Sequence, residues 1–345
     1  MEYTTDLIPR ILRDINNGVL ALDQRGRIIY INTPCEAMLG KHEDLIGKSY
    51  AEAFFDDPHE KENDTFHQFV LDAIYQKEQT HKGTVAFFDS TGKKRFIRIT
   101  SSFLKSESGE ENVGIVLVMV DITETQILKK KRHEASIVFA CVLCGLTAYL
   151  LILGALPFFN ISASVHVLSQ IVYAVGCCMT FAGYKLADYS YEDFGLKLVN
   201  PMKTLTPAAF ISAVGVAFLI ILKFVFLNFS TDFFPADTPF WNWNLGLYVW
   251  LSYVPACIVQ EIIMRSMAYS SIRKIYDGKH GTLVAVTLSA LLFSGLHIGH
   301  GFFYMVAAGV MMVSLAWLHE KQGNIWGVTL IHYVLGQAAD CLGFL

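Results

Sequence analysis

The sequence predicts two regions of different class: an α+β domain over the first 125 residues, then an all-α bundle of membrane-spanning helices. Three observations carry this expectation. Mean hydropathy is +0.40 and only 17% of residues are charged, against about 25% in ordinary soluble domains. The charges are unevenly placed, with 14 Lys/Arg and 21 Asp/Glu in residues 1–128 but 13 and 10 in residues 129–345. Apolar runs approaching the roughly 20 residues that cross a bilayer as a helix are confined to the second region.

The first residues, 1–14, are polar and mixed in charge, with no apolar stretch to be threaded and cleaved. The N-terminal domain is therefore expected in the cytosol, with the first span as an uncleaved anchor. Its acidic balance and lack of a basic stripe argue against nucleic acid as a partner. Val19–Leu22 and Ile28–Asn32 flank the polar, Gly-ended turn Asp23-Gln24-Arg25-Gly26, which predicts a β-hairpin. Helices are expected at 34–39 and 66–76. Three more strand-like runs follow at 83–88, 95–103 and 113–120, separated by turns at Gly92 and Gly109.

That order of elements, with the opening Asp23–Asn32 and the closing Asp121-Ile122-Thr123, resembles the PAS family over residues 8–125. The resemblance implies a five-stranded antiparallel sheet with flanking helices, used as a sensor of a small ligand or redox state, or as a homodimerisation module. No LOV-type cysteine motif is present. His67, on the helix where some relatives hold haem, reads as a core or solvated histidine, so the ligand stays unspecified. The boundaries expected are 1–125 for the PAS sensor, 126–135 for a helical linker without Pro or Gly, and 136–345 for the membrane domain. A continuous helix through the linker would pass a movement of the sensor to the bundle.

Seven spans are expected, at 136–158, 164–187, 206–229, 245–270, 282–298, 302–318 and 325–343. With the N-terminus inside, 11 of the 13 basic residues of this region fall in cytosolic segments, as the positive-inside rule requires. The outer loops hold none, and the second is acidic through Asp232 and Asp237. Localisation in the cytoplasmic (inner) membrane follows, with the lipid bilayer as a partner. Lys223, near an outer helix end, is expected to snorkel to the headgroups. Cys141 and Cys144 form a C-x-x-C inside the first span, where the spacing reads as packing on one face.

Ionisable groups at membrane depth usually face one another or a functional cavity. Here they are Gln260, Glu261 and Arg265 in the fourth span, His297 and His300 after the fifth, and His332 and Asp340 in the seventh. Glu261 and Arg265, four apart, share a helix face and can pair. Phe293 precedes His297 by one turn. A carboxylate and imidazoles in a wet pocket can activate water, whereas the alternative is a set of interhelical bonds that hold the bundle together.

The ordered segments Gln260–Ser266, Phe293–His297 and His319–Gly336 resemble the CPBP family (CAAX proteases and bacteriocin-processing enzymes, or Abi), with a core at 190–340. The family pattern is Glu-Glu-x-x-x-Arg, Phe-x-x-x-His and His-x-x-x-Asn. The resemblance implies an intramembrane glutamic protease acting on membrane-associated peptides or proteins. It implies that the first Glu and the Phe-x-x-x-His histidine activate water, while the last His and the Asn hold the oxyanion. Glu261, Arg265, Phe293, His297 and His332 match, but Gln260 stands at the first Glu and Gly336 at the Asn. An amide cannot take a proton at neutral pH, and Glu261 is turned about 100° from position 260.

Three readings follow. One is a PAS-regulated protease using Glu261, His297 and His332, with Gln260, Arg265, Phe293 and Gly336 in support. The second is a protease-like fold without hydrolysis, acting as a receptor or scaffold. The third, a metal-dependent hydrolase with Glu261, His297 or His300, and His332 as ligands, lacks the paired histidines of a zinc helix, so no metal is expected.

Overall fold

A computed structural model of the chain describes residues 11–12, 15–41, 44–55, 59–76, 80–106, 112–162, 165–187, 189–198, 200–229, 234, 238–243 and 246–344. The chain divides into two compact units, residues 1–129 and 130–345.

In the first unit, β1 (Gly18–Asp23) and β2 (Ile28–Ile31) form the expected hairpin, followed by α1 (Thr33–Leu39), α2 (Tyr50–Phe54) and α3 (Asp64–Tyr75). Strands β3 (Lys82–Phe88), β4 (Lys94–Lys105) and β5 (Asn112–Asp121) complete one antiparallel sheet in the order β2-β1-β5-β4-β3. The expected five-stranded sheet is thus present. Alternate residues of β4 and β5, Ile97 and Ile99, Leu117 and Met119, are buried with Leu20 and Leu22 of β1 against α1–α3, as a sheet with one covered face requires, whereas β1 is buried on both faces.

Local chemistry explains the short helices. Asn32 caps α1 by accepting from the Cys35 amide, and its side-chain nitrogen donates to the Asn17 carbonyl. Helix α2, absent from the sequence expectation, begins at a capping box in which Ser49 and Glu52 satisfy each other's amides. His67 is buried, with Nδ1 2.9 Å from the Tyr50 hydroxyl and the Phe55 ring set edge-on at 5.1 Å. It is a core histidine in an aromatic cluster.

Asp121 and Thr123 close this unit. The Thr123 hydroxyl bonds Asp121 Oδ1 and accepts from the Phe96 amide at 2.9 Å, while Arg95 Nη1 donates to Asp121 Oδ2 at 3.0 Å. Burial pushes the Asp121 carboxyl up, but the Thr123 bonds and the Arg95 guanidinium outweigh it and hold the carboxyl below its ordinary value. Thr123 also begins α4 (Thr123–Ala155), a single helix of 33 residues that includes the linker expected at 126–135.

Beyond α4, which a short 3₁₀ turn extends to Phe159, lie α5 (Val165–Leu186), α6 (Pro201–Phe229) and α7 (Leu247–Glu261). A π-helix (Ile262–Tyr269) continues α7 into α8 (Ser270–Ile275), followed by α9 (Gly281–Leu296), α10 (Phe302–Gln322) and α11 (Trp326–Cys341). Each expected span corresponds to a helix or a continuous helical run. Five of these are long and apolar enough to cross a membrane: Thr123–Phe159, Val167–Leu186, Pro201–Phe229, Leu247–Ile275 and Phe302–Gln322. The other two, α9 and α11, have 16 residues each, about 24 Å of helix, and pack between the longer ones. Many side chains of α6 are exposed, among them Phe210, Val214, Phe218, Ile221 and Phe224, as a lipid-facing helix would be.

Side chains at each end of the second unit tie its segments together. Arg132 pairs with Asp277, and Lys274 lies 3.7 Å from Asp193 and 4.6 Å from the Tyr189 ring centroid. These residues come from segments that charge assigns to one side of the membrane. At the other end, Lys223 does not snorkel. It is fully buried, donates to the carbonyls of Pro239 and Leu342 at 2.6 Å each, and lies against the rings of Phe234 and Phe240. The loop at Pro239 and the end of the last helix at Leu342 supply the oxygens that the headgroups were expected to supply. Asp232 and Asp237 lie outside the described residues. Cys141 is half-buried and Cys144 exposed, so only the first packs inside the unit.

Candidate functional site

Helix α7 and its π continuation place Gln260, Glu261 and Arg265. Glu261 is fully buried and both its oxygens are engaged, Oε2 by Arg265 Nε and Oε1 by His332 Nδ1, each at 2.8 Å. Arg265 is also fully buried. Its Nη1 donates to the Met312 carbonyl at 3.3 Å and touches Met312 Sδ, while Nη2 has no partner among the described residues. A buried charge is tolerable only when paired and hydrogen-bonded, so this carboxylate is committed to holding the guanidinium and orienting His332.

His297 follows the end of α9, and its Nδ1 lies 2.8 Å from the Phe293 carbonyl. A carbonyl can only accept, so Nδ1 carries the proton and Nε2 is the basic nitrogen. The Phe293 ring packs against both imidazoles, with centroids 4.6 Å from His297 and 5.9 Å from His332.

A cleft opens between α4, α5, the α7–π run and α9. Gln260 and His297 line it together, and its remaining walls are largely apolar, including Val142, Gly145, Leu168 and Ile263. Glu261 and His332 are not among its lining residues. The residues expected to act together are thus divided: Gln260 and His297 share the cleft, whereas Glu261, Arg265 and His332 form a buried cluster beside it. No group of three or more His, Cys, Asp or Glu residues with metal-binding geometry occurs among the described residues.

Two tyrosines that the sequence reading passed over help to build the site. Tyr149 donates to the Leu296 carbonyl at 2.9 Å, next to His297. Tyr253 sets its ring edge-on to His332 at 6.1 Å and lies against Gly336 so closely that a Cβ there would collide with its hydroxyl end. The available signal was spacing, since Tyr253 precedes Gln260 by seven residues, two turns along one helix face. The cleft is chemically suited to hold an apolar chain beside a neutral amide and an imidazole.

Residues 16–124 match the family described as PAS domain, and residues 242–336 match type II CAAX prenyl endopeptidase Rce1-like. No curated protein matches the chain. Among solved structures, the PAS domain of Bordetella pertussis BvgS is 21% identical over 38% of this chain and 95% of its own, with a TM-score of 0.30. The PAS domain of a Colwellia psychrerythraea protein is 16% identical over 35% and 98%, with a TM-score of 0.28. That of an HTR-like protein from Haloarcula marismortui is 16% identical over 35% and 93%, with a TM-score of 0.26. Residues 16–124 are accordingly a PAS domain, and residues 242–336 an Rce1-like domain of the CAAX protease family.

Proposed function

We propose that this chain is a PAS-regulated receptor of the inner membrane that binds the apolar portion of a membrane-associated peptide without hydrolysing it. One observation carries the reading: the position facing the cleft beside His297 is an amide, Gln260, while the neighbouring carboxylate of Glu261 is bound on both oxygens. Water activation needs a group that can accept a proton within reach of the substrate. Recruiting Glu261 would require breaking its bonds to Arg265 and His332 inside the protein. The Rce1-like family name points to a prenylated peptide as the ligand, and the apolar walls suit its chain.

The test uses the full chain in lipid nanodiscs with a farnesylated reporter peptide. Binding without cleavage is expected, with Gln260→Trp obstructing the cleft and abolishing binding. Brisk cleavage that His297→Ala silences would establish the protease reading instead.

The PAS domain is placed in the cytosol, where a homodimer or a small ligand would set its state. Cysteine labelling, with native exposed cysteines replaced, should find sites in 238–242 accessible from outside and sites in 273–280 only after permeabilisation. The reverse pattern would overturn the orientation and the cytosolic sensor with it.

A further inference from the structure

Beside the first cleft lies a second, lined by residues that include Ser252, Tyr253, Gly336, Gln337 and Asp340. Its character is different. Gln337 is only 4% exposed and its Oε1 has no partner among the described residues. Asp340, one turn further along the same face of α11, is half-buried, and no hydrogen bond or ion pair to its carboxylate occurs among the described residues. The other lining residues include Tyr173 and Tyr248, and no Lys, Arg or His is among them.

A carboxylate and an unmatched amide carbonyl at membrane depth require a donor, and the cleft wall supplies no cation. Gln170, Ser169 and Ser252 offer neutral donors there, but a ligand that brings N–H groups with a positive charge matches the carboxylate and the amide carbonyl together. A bare divalent ion is a poor fit, because calcium takes six to eight oxygens and magnesium an octahedron. An ammonium needs few acceptors and gains from tyrosine ring faces. A zwitterionic lipid headgroup would bring a phosphate for which the lining has no partner. The two clefts share Ser169, so a ligand held in one can continue into the other.

We infer that the Asp340–Gln337 cleft is a binding subsite for a basic side chain of the same peptide whose apolar portion occupies the first cleft. The peptide as the source of that cation rests on the function proposed above; the cation subsite itself stands on the cleft alone.

Two arms separate these. In nanodiscs, a diazirine-bearing dodecylammonium should cross-link to segments 248–256 and 336–340, about tenfold more than the corresponding alcohol, in line with a charge-assisted hydrogen bond. Asp340→Asn should remove the difference, while Asp340→Glu retains it. Equal labelling by amine and alcohol overturns the subsite. In the second arm, farnesylated peptides with Lys or norleucine beside the modified residue are compared, and about tenfold tighter binding of the Lys peptide is expected. Equal binding of the two rejects the peptide as source. Failure of both peptides, with the amine still captured, rejects the receptor reading and leaves the cation subsite, with vesicles containing phosphatidylethanolamine as competitor to identify a lipid source.

Discussion

Glu261→Ala should be the most damaging single substitution in the membrane unit. It strands a fully buried guanidinium, since Arg265 is 0% exposed and its Nε has no other partner among the described residues, and it removes the acceptor that orients His332. Breaking a buried ion pair from one side costs about 3–5 kcal/mol. The expected result is loss of monodisperse protein on detergent extraction, followed by size-exclusion chromatography and a thermal ramp. Replacing both partners, as Glu261→Leu with Arg265→Met, should recover much of the loss, because well-packed apolar pairs often replace buried ion pairs at little cost. His297→Ala, in the cleft wall, should leave the thermal transition largely unchanged. If Glu261→Ala is as stable as the wild type, the carboxylate is not structural and its use as a base comes back into play.

The second large effect is a gain. Restoring the family residues requires Gln260→Glu and Gly336→Asn, but the Tyr253 hydroxyl end occupies the space a Cβ at 336 would need. Gly336→Asn alone should therefore destabilise the protein by overpacking, at about 1–3 kcal/mol. Adding Tyr253→Ala clears the space. The triple replacement should acquire cleavage of the farnesylated reporter at least about 10²-fold above the wild type, the scale of one oxyanion donor. Mass spectrometry of the reporter reads the outcome directly. A triple variant that folds and binds the peptide yet remains inert would show that more than these positions separates this site from a working protease.

Much of this architecture was legible in the sequence, for reasons that differ by element. The strands of the PAS domain announce themselves because a half-covered sheet imposes alternation, seen in Ile97 and Ile99 or Leu117 and Met119. Helix α2 is five residues long, too short for any periodicity to register, although its capping box is written in Ser49 and Glu52. The Glu261–Arg265 pair follows from helix spacing, whereas the His332 contact joins residues 71 positions apart and only the packed bundle creates it. Lys223 misleads for a related reason, because a lysine near a helix end normally finds headgroups, and the carbonyls that cage it come from distant segments. Tyr253 lies two turns before Gln260, a spacing written in the sequence, but its contacts with His332 and Gly336 exist only once the bundle is packed.

The π-helix at Ile262–Tyr269 has a further consequence, for the arithmetic of motifs. Its backbone bonds skip five residues rather than four, as where the Ser270 amide reaches the Arg265 carbonyl, and the Ser270 hydroxyl bonds that same oxygen at 2.9 Å. Counting along the chain and counting around the helix therefore cease to agree after Glu261. A pattern aligned by letters across this stretch will place Met267 and Tyr269 on faces that an α-helical relative would not show, unless a gap is admitted. Comparisons between such proteins are sound only when registered separately on the two sides of this segment, with Gln260 and Glu261 anchoring one frame and Ser270 onward the other.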